Sequence, residues 1–121
     1  MALIIKLFVV AFFLNLLYEL IHSLLYKTCH EATLPRYIYL ILKAALFDGF
    51  VIALIYFATK GNMILFAICS VLFAAFWEIY SLKKGKWEYS ASMPKILGVG
   101  ITPLLQLVTT GIASLYIVFY F

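Results

Sequence analysis

LIIKLFVVAFFLNLLYELIHSLLY, residues 3–26, decides the fold of this chain. A helix needs about 20 apolar residues to cross the hydrocarbon layer of a bilayer, and this stretch has that length. Only α-helices and closed β-barrels satisfy their backbone groups inside lipid. The apolar residues here run on without the alternation that a barrel strand needs, so the stretch reads as a membrane-spanning helix. It is too long for the apolar part of a cleaved leader and has no clear small-residue cleavage site, which makes it a retained span.

Three further apolar runs follow, Tyr37 to Ala58, Met63 to Tyr80 and Ile96 to Phe121. The expected helices cover about 3–26, 36–58, 63–81 and 96–120, in a single domain over 1–121. With 67% hydrophobic and only 12% charged residues and a mean hydropathy of +1.12, the chain lacks the polar surface that a soluble domain of this size would show. The fold class that follows is all-α, an integral membrane four-helix transmembrane bundle. Small residues at Ala45, Gly49 and Ala53, and again at Ser70 and Ala74, supply faces on which helices approach closely in lipid.

Charge sets the expected orientation. Lys27, Arg36, Lys83, Lys84, Lys86 and Lys95 lie in or beside the first and third connections, against Lys6 and Lys60 on the other side. The excess places loops 27–35 and 82–95 in the cytoplasm and both termini outside. The net charge of +4 is read as this topology signal and not as a nucleic-acid surface. The membrane lipid is the expected partner, with a hydrophobic small molecule and a second copy of the chain as further candidates. Cys29 and Cys69 form no CxxC pair and no metal-ligand spacing, so neither a redox cofactor nor a metal is expected.

Within the apolar spans, a few costly residues carry the chemistry. Asn15, Glu19, His22 and Tyr26 fall at i, i+4, i+7 and i+11, on a stripe about 60° wide at 100° per residue. An ionisable side chain at membrane depth costs about 2.5–3.5 kcal/mol on insertion scales, so such a stripe faces other protein. Asp48 lies beside the small-residue stripe of the second helix and is expected to point inward. Lys43, about 140° away on the same helix, is expected to face away and reach for the surface. Glu78 stands one turn from the end of the third helix. Thr102, Gln106 and Thr110 share a face of the fourth, where Pro103 is expected to loosen the backbone. A rise of 1.5 Å per residue puts Asn15, Asp48 and Gln106 about 16–18 Å deep, with Glu19, His22 and Glu78 within about 12 Å of the cytoplasmic face.

Buried polar residues often do no more than clasp helices together, at about 0.6 kcal/mol each. Four ionisable groups at one end of a small bundle exceed what clasping requires. A cytoplasm-facing cavity is therefore expected. Glu19, His22, Asp48 and Glu78 are its candidate catalytic groups, Asn15 and Gln106 its orienting hydrogen-bond partners. Trp77 and Tyr26 are further contacts for a bound molecule, and Trp87 and Tyr89 close the mouth. A carboxyl group in such a place suits acid–base work on, or binding of, a hydrophobic molecule of lipid or isoprenoid type, with aromatic faces to stabilise a carbocation. Three alternatives stand beside it: metal binding at Glu19-x-x-His22, proton-coupled or metal-ion transport, and a non-enzymatic accessory role.

The pattern Asn15-x3-Glu19-x2-His22-x2-Leu25-Tyr26, Asp48-Gly49, Trp87-x-Tyr89-Ser90-x2-Met93-Pro94 and Pro103-Leu104-Leu105-Gln106 resembles a family of small four-helix bacterial inner-membrane proteins. The resemblance runs through nearly the whole chain and implies the location without supplying an activity. A looser similarity to the membrane carotenoid (lycopene) cyclases lies in the order Glu78, Trp87-x-Tyr89, without their second acidic signature.

Overall fold

The computed structural model describes residues 2–121. Its long helices are α1 (Ala2–His22), α3 (Leu34–Ala58), α4 (Met63–Lys83) and α5 (Ile101–Tyr120). All four are long and apolar enough to cross a membrane. One 3₁₀ turn (Ser23–Leu25) and a short helix α2 (Lys27–His30) join α1 to α3, and a two-residue hairpin, β1 (Lys95–Ile96) with β2 (Val99–Gly100), precedes α5.

Several boundaries differ from the sequence expectation. The first helix ends at His22, and its last expected turn is wound more tightly. The second starts at Leu34, where Pro35 falls at a first-turn position that needs no N–H. The third continues to Lys83. The fourth begins at Ile101 instead of 96, because Leu97 and Gly98 both take left-handed backbone angles (φ 54° and 82°) that turn the chain sharply in the hairpin. Pro103 consequently falls in the first turn of α5, where its missing N–H breaks no helical bond, and it does not loosen the helix.

Tight connections elsewhere have local causes. Asn62 caps α4 by accepting from the backbone N–H groups of Ile64 and Leu65, each at 3.1 Å. The third connection folds back onto the end of α1. Lys27 N–H donates to the Glu88 carbonyl and Ser90 N–H to the Leu25 carbonyl, both at 2.9 Å, so Tyr26 and Tyr89 stand side by side as an isolated antiparallel bridge.

Around the bundle the order is α3, α1, α5, α4. The α1–α3 seam is the most extensive. A Cβ built on Gly49 would lie 3.2 Å from the Phe12 backbone nitrogen, a tight contact that glycine avoids and that brings the two backbones close. The sequence neighbours α3 and α4, by contrast, barely touch. The apolar core of Leu7, Ala11, Val51, Ile52, Phe66 and Leu115 fills the half of the bundle that holds the termini. Outward-facing side chains such as Ile21, Ile64 and Phe76 are apolar and exposed, the reverse of a soluble bundle. The other half, the basic end, carries the α1–α3 and α4–α5 connections and most of the lysines.

Candidate functional site

The polar residues of the basic half form two hydrogen-bonded groups with a histidine between them. In the deeper group, the Gln106 side-chain nitrogen stands 2.7 Å from Glu19 Oε1, 2.8 Å from Asp48 Oδ2 and 3.0 Å from Asn15 Oδ1. Asn15 is fully buried. It is held from behind, donating to the Ala11 carbonyl at 2.7 Å and accepting from the Thr110 hydroxyl at 3.1 Å. Glu19 and Asp48 are also within hydrogen-bonding reach of each other. Four spans' worth of helix geometry is not needed for this group. It draws on α1, α3 and α5, three helices that meet on the α1 side of the ring.

The shallower group centres on Glu78, which is 4% exposed. One of its oxygens, Oε1, accepts from the Trp87 indole at 2.7 Å, the Tyr89 hydroxyl at 2.9 Å and the Tyr26 hydroxyl at 3.0 Å. Oε2 takes none of these bonds. Tyr89 is itself aimed by the Gly100 N–H, which donates to its oxygen at 2.9 Å. The hairpin before α5 and the bridge to Tyr26 therefore both serve to aim donors at one carboxyl oxygen. Burial, reinforced by the nearby Glu78 carboxyl, holds the Tyr89 phenol above its ordinary range, so it remains a donor at neutral pH. Burial likewise pushes the Cys29 thiol up and away from thiolate chemistry.

His22 lies between the two groups, stacked edge-on against Tyr18 and Tyr26 with ring centroids 5.4 and 4.8 Å away. It is 4% exposed, and among the described residues neither ring nitrogen has a hydrogen-bond partner. Its Nδ1 is 3.8 Å from Glu19 Oε2, beyond hydrogen-bond range. A buried imidazole with two unsatisfied nitrogens is costly unless something else is meant to meet it.

A cavity of about 480 Å³ connects the groups. Glu19, His22, Asp48, Glu78 and Gln106 line it, as do Tyr26, Trp77 and Trp87. Asn15 supports the deeper group from outside the wall, and Tyr89 stands behind Glu78 instead of closing the mouth. Glu19 belongs with the deep residues, not with the shallow layer expected from its depth, because Gln106 reaches it from α5. Lys43 is exposed, as expected of a side chain that reaches for the surface, but it does not face away from the site: it also lines the cavity, with its ammonium 5.7 Å from the Tyr39 ring centre. Sequence reading also passed over Arg36, Lys86 and Phe47, all cavity-lining. In the sequence the two cations count only toward the orientation signal, and nothing separates Phe47 from other apolar residues.

Cys69 is exposed on α4, and both cysteines are free. Among the described residues no three His, Cys, Asp or Glu side chains converge as a ligand set for a metal ion. The chain matches no family model, no curated protein sequence and no solved structure.

Proposed function

We propose that this chain is an integral membrane protein, its basic end in the cytoplasm, whose cavity binds a hydrophobic molecule of lipid or isoprenoid type and performs acid–base chemistry on it. The observation that carries the reading is a count of hydrogens. An amide nitrogen has two, and three oxygens surround that of Gln106. Turning the amide round would set its oxygen against Asn15 Oδ1, which the Ala11 carbonyl and the Thr110 hydroxyl fix as an acceptor, and would need both carboxyl groups protonated. The group is satisfied when Glu19 and Asp48 hold one proton between them, as paired carboxyl groups do.

That shared proton is positioned for transfer. Delivered to a carbon–carbon double bond or a carbonyl, it leaves a cation that the rings of Trp87 and Tyr26 stabilise. Loss of a proton from a neighbouring carbon to His22 or to Glu78 Oε2 restores the neutrality of the substrate, and return of that proton to the Glu19–Asp48 pair, which His22 Nδ1 faces at 3.8 Å from Glu19 Oε2, resets the site. The sum is an isomerisation or cyclisation with no net gain of atoms or electrons. The unpartnered nitrogens of His22 favour a site that acts over one that only clasps helices. Transport ranks below catalysis because, among the described residues, no ionisable side chain is buried in the terminal half to continue a path.

The test is to identify lipid that purifies with the protein by mass spectrometry, then incubate that lipid with the protein in D2O. One enriched hydrophobic species that takes up deuterium at carbon with the natural chain, and not with Glu19→Gln, is expected. If only bulk phospholipid is recovered, and Glu19→Gln and Glu78→Gln change nothing but thermal stability, the proposal fails.

A further inference from the structure

The cavity has a side as well as a mouth, and the two differ in chemistry. Its side is the slot between α3 and α4, which pack against other helices and barely against each other. A single aromatic crossing spans that slot: the Phe47 ring of α3 stacks on Trp77 of α4 at 4.8 Å and leans on Phe73 at 6.2 Å. Its mouth, at the basic end, is ringed by Arg36, Lys43 and Lys86. None of these three is in an ion pair among the described residues, although Lys27 nearby approaches both Glu31 and Glu88. Each is held against an aromatic ring: Arg36 and Lys43 over Tyr39, and Lys86 4.5 Å from the centre of Trp77.

An orientation signal requires only that lysines lie on one side of the membrane. It does not require three cations without an ion-pair partner among the described residues, drawn from two separate segments, around one opening. An apolar slot facing the lipid, a cationic rim at headgroup level and a buried imidazole with free nitrogens inside make an amphipathic site. We infer that the cavity takes a lipid with a phosphate-class anionic headgroup, which enters sideways between α3 and α4 and is held at the rim by Arg36, Lys43 and Lys86. The inference rests on the reading that the cavity receives a hydrophobic molecule, and it names that molecule's class. A singly charged headgroup would leave cations unmatched, whereas a phosphate monoester or diphosphate offers the charge and acceptor oxygens that an arginine and two lysines meet. In that pose the tail runs past Phe47 and Trp77, and its first unsaturated or polar carbons lie near His22 and Glu19.

The chain has two tryptophans, and both Trp77 and Trp87 line the cavity, so intrinsic fluorescence reports occupancy. Full-length protein in phosphatidylcholine nanodiscs is titrated with phosphatidic acid brominated on its acyl chains, and separately with brominated phosphatidylcholine. Phosphatidic acid is expected to quench saturably, and phosphatidylcholine to give only the shallow, linear quenching of random contact. Arg36→Gln and Lys86→Gln, both at exposed positions, should each raise the phosphatidic acid midpoint about fivefold, the size of one interfacial cation contact. Arg36→Lys should retain most of the selectivity. Phe47→Ala should reach the same end point faster.

Identical curves for the two lipids overturn the headgroup assignment, and an unchanged rate in Phe47→Ala overturns the lateral route. Inorganic phosphate that abolishes the quenching at a concentration equal to that of phosphatidic acid replaces the lipid by a free anion. Selective quenching without deuterium uptake sinks the acid–base chemistry alone, and deuterium uptake without selective quenching sinks this inference alone.

Discussion

The two halves of this bundle are made of the same four helices and do opposite things. At the terminal end, Leu7, Val51, Ile52, Phe66 and Leu115 pack with almost no exposure, and the helices meet as closely as glycine at position 49 allows. At the basic end the same helices line a cavity whose walls carry Glu19, His22, Asp48 and Glu78. In lipid, where no hydrophobic effect drives helices together, tight steric packing of one half can secure the bundle. The other half is then free to hold groups that cost stability. The contrast teaches that the polar residues need not be what holds this protein together.

That division can be broken or sharpened by substitution, starting with the largest effects. Glu19→Gln removes an acid from the shared pair while keeping its shape. Deuterium transfer should fall by about 10²–10⁴-fold, the usual worth of a positioned general acid. Thermal stability in detergent should hold or rise, since a charge-bearing group leaves an apolar interior. A large drop in melting temperature would mean that Glu19 is structural and would erase the difference between the halves.

Phe66→Ala is the mirror experiment. Phe66 is fully buried in the terminal core, and its truncation should cost about 3–5 kcal/mol, read as a lowered unfolding midpoint. Lipid binding by the protein that remains folded should be unaltered. Gly49→Leu attacks the same half by another route. A side chain there meets the α1 backbone, and overpacking of this kind costs about 1–3 kcal/mol. Because Asp48 is the next residue, this variant should also pull the carboxyl pair apart and slow exchange, which makes it the one substitution expected to move both readouts.

The smallest effect is expected at Tyr89→Phe, which removes one of three donors to Glu78 Oε1 at a cost of about 1 kcal/mol. It also carries a pH signature. The Tyr89 phenol is held above its ordinary value in the folded protein, so its contribution is complete below about pH 10, where the unfolded phenol begins to ionise, and is lost as pH rises further. Melting curves at alkaline pH should fall less steeply in Tyr89→Phe than in the natural chain. An equal slope in both would show that the Tyr89 proton is not coupled to folding.

Much of this was written into the order of residues alone. The number of spans, their lengths and the stripe of Asn15, Glu19, His22 and Tyr26 depend on hydropathy and on the helical repeat, both properties of one segment at a time. The expectation that the stripe faces protein follows from the cost of polar groups in lipid, and all four of its residues lie at half-buried or buried positions. Other features needed the neighbours. Which helix lies beside which is decided by surface fit, such as Gly49 against Phe8 and Phe12, and no single-helix periodicity encodes it. The stripe divides in space, with Asn15 and Glu19 gathered by Gln106 and Tyr26 by Glu78, because the partners come from different helices. The slot between α3 and α4, and with it the roles of Phe47, Lys43, Arg36 and Lys86, exists only because two consecutive helices pack little against each other. Composition and spacing thus determined which polar groups a bundle of such apolar helices must turn inward. Tertiary packing decided what it is hidden against, because that choice rests on contacts between surfaces far apart along the chain.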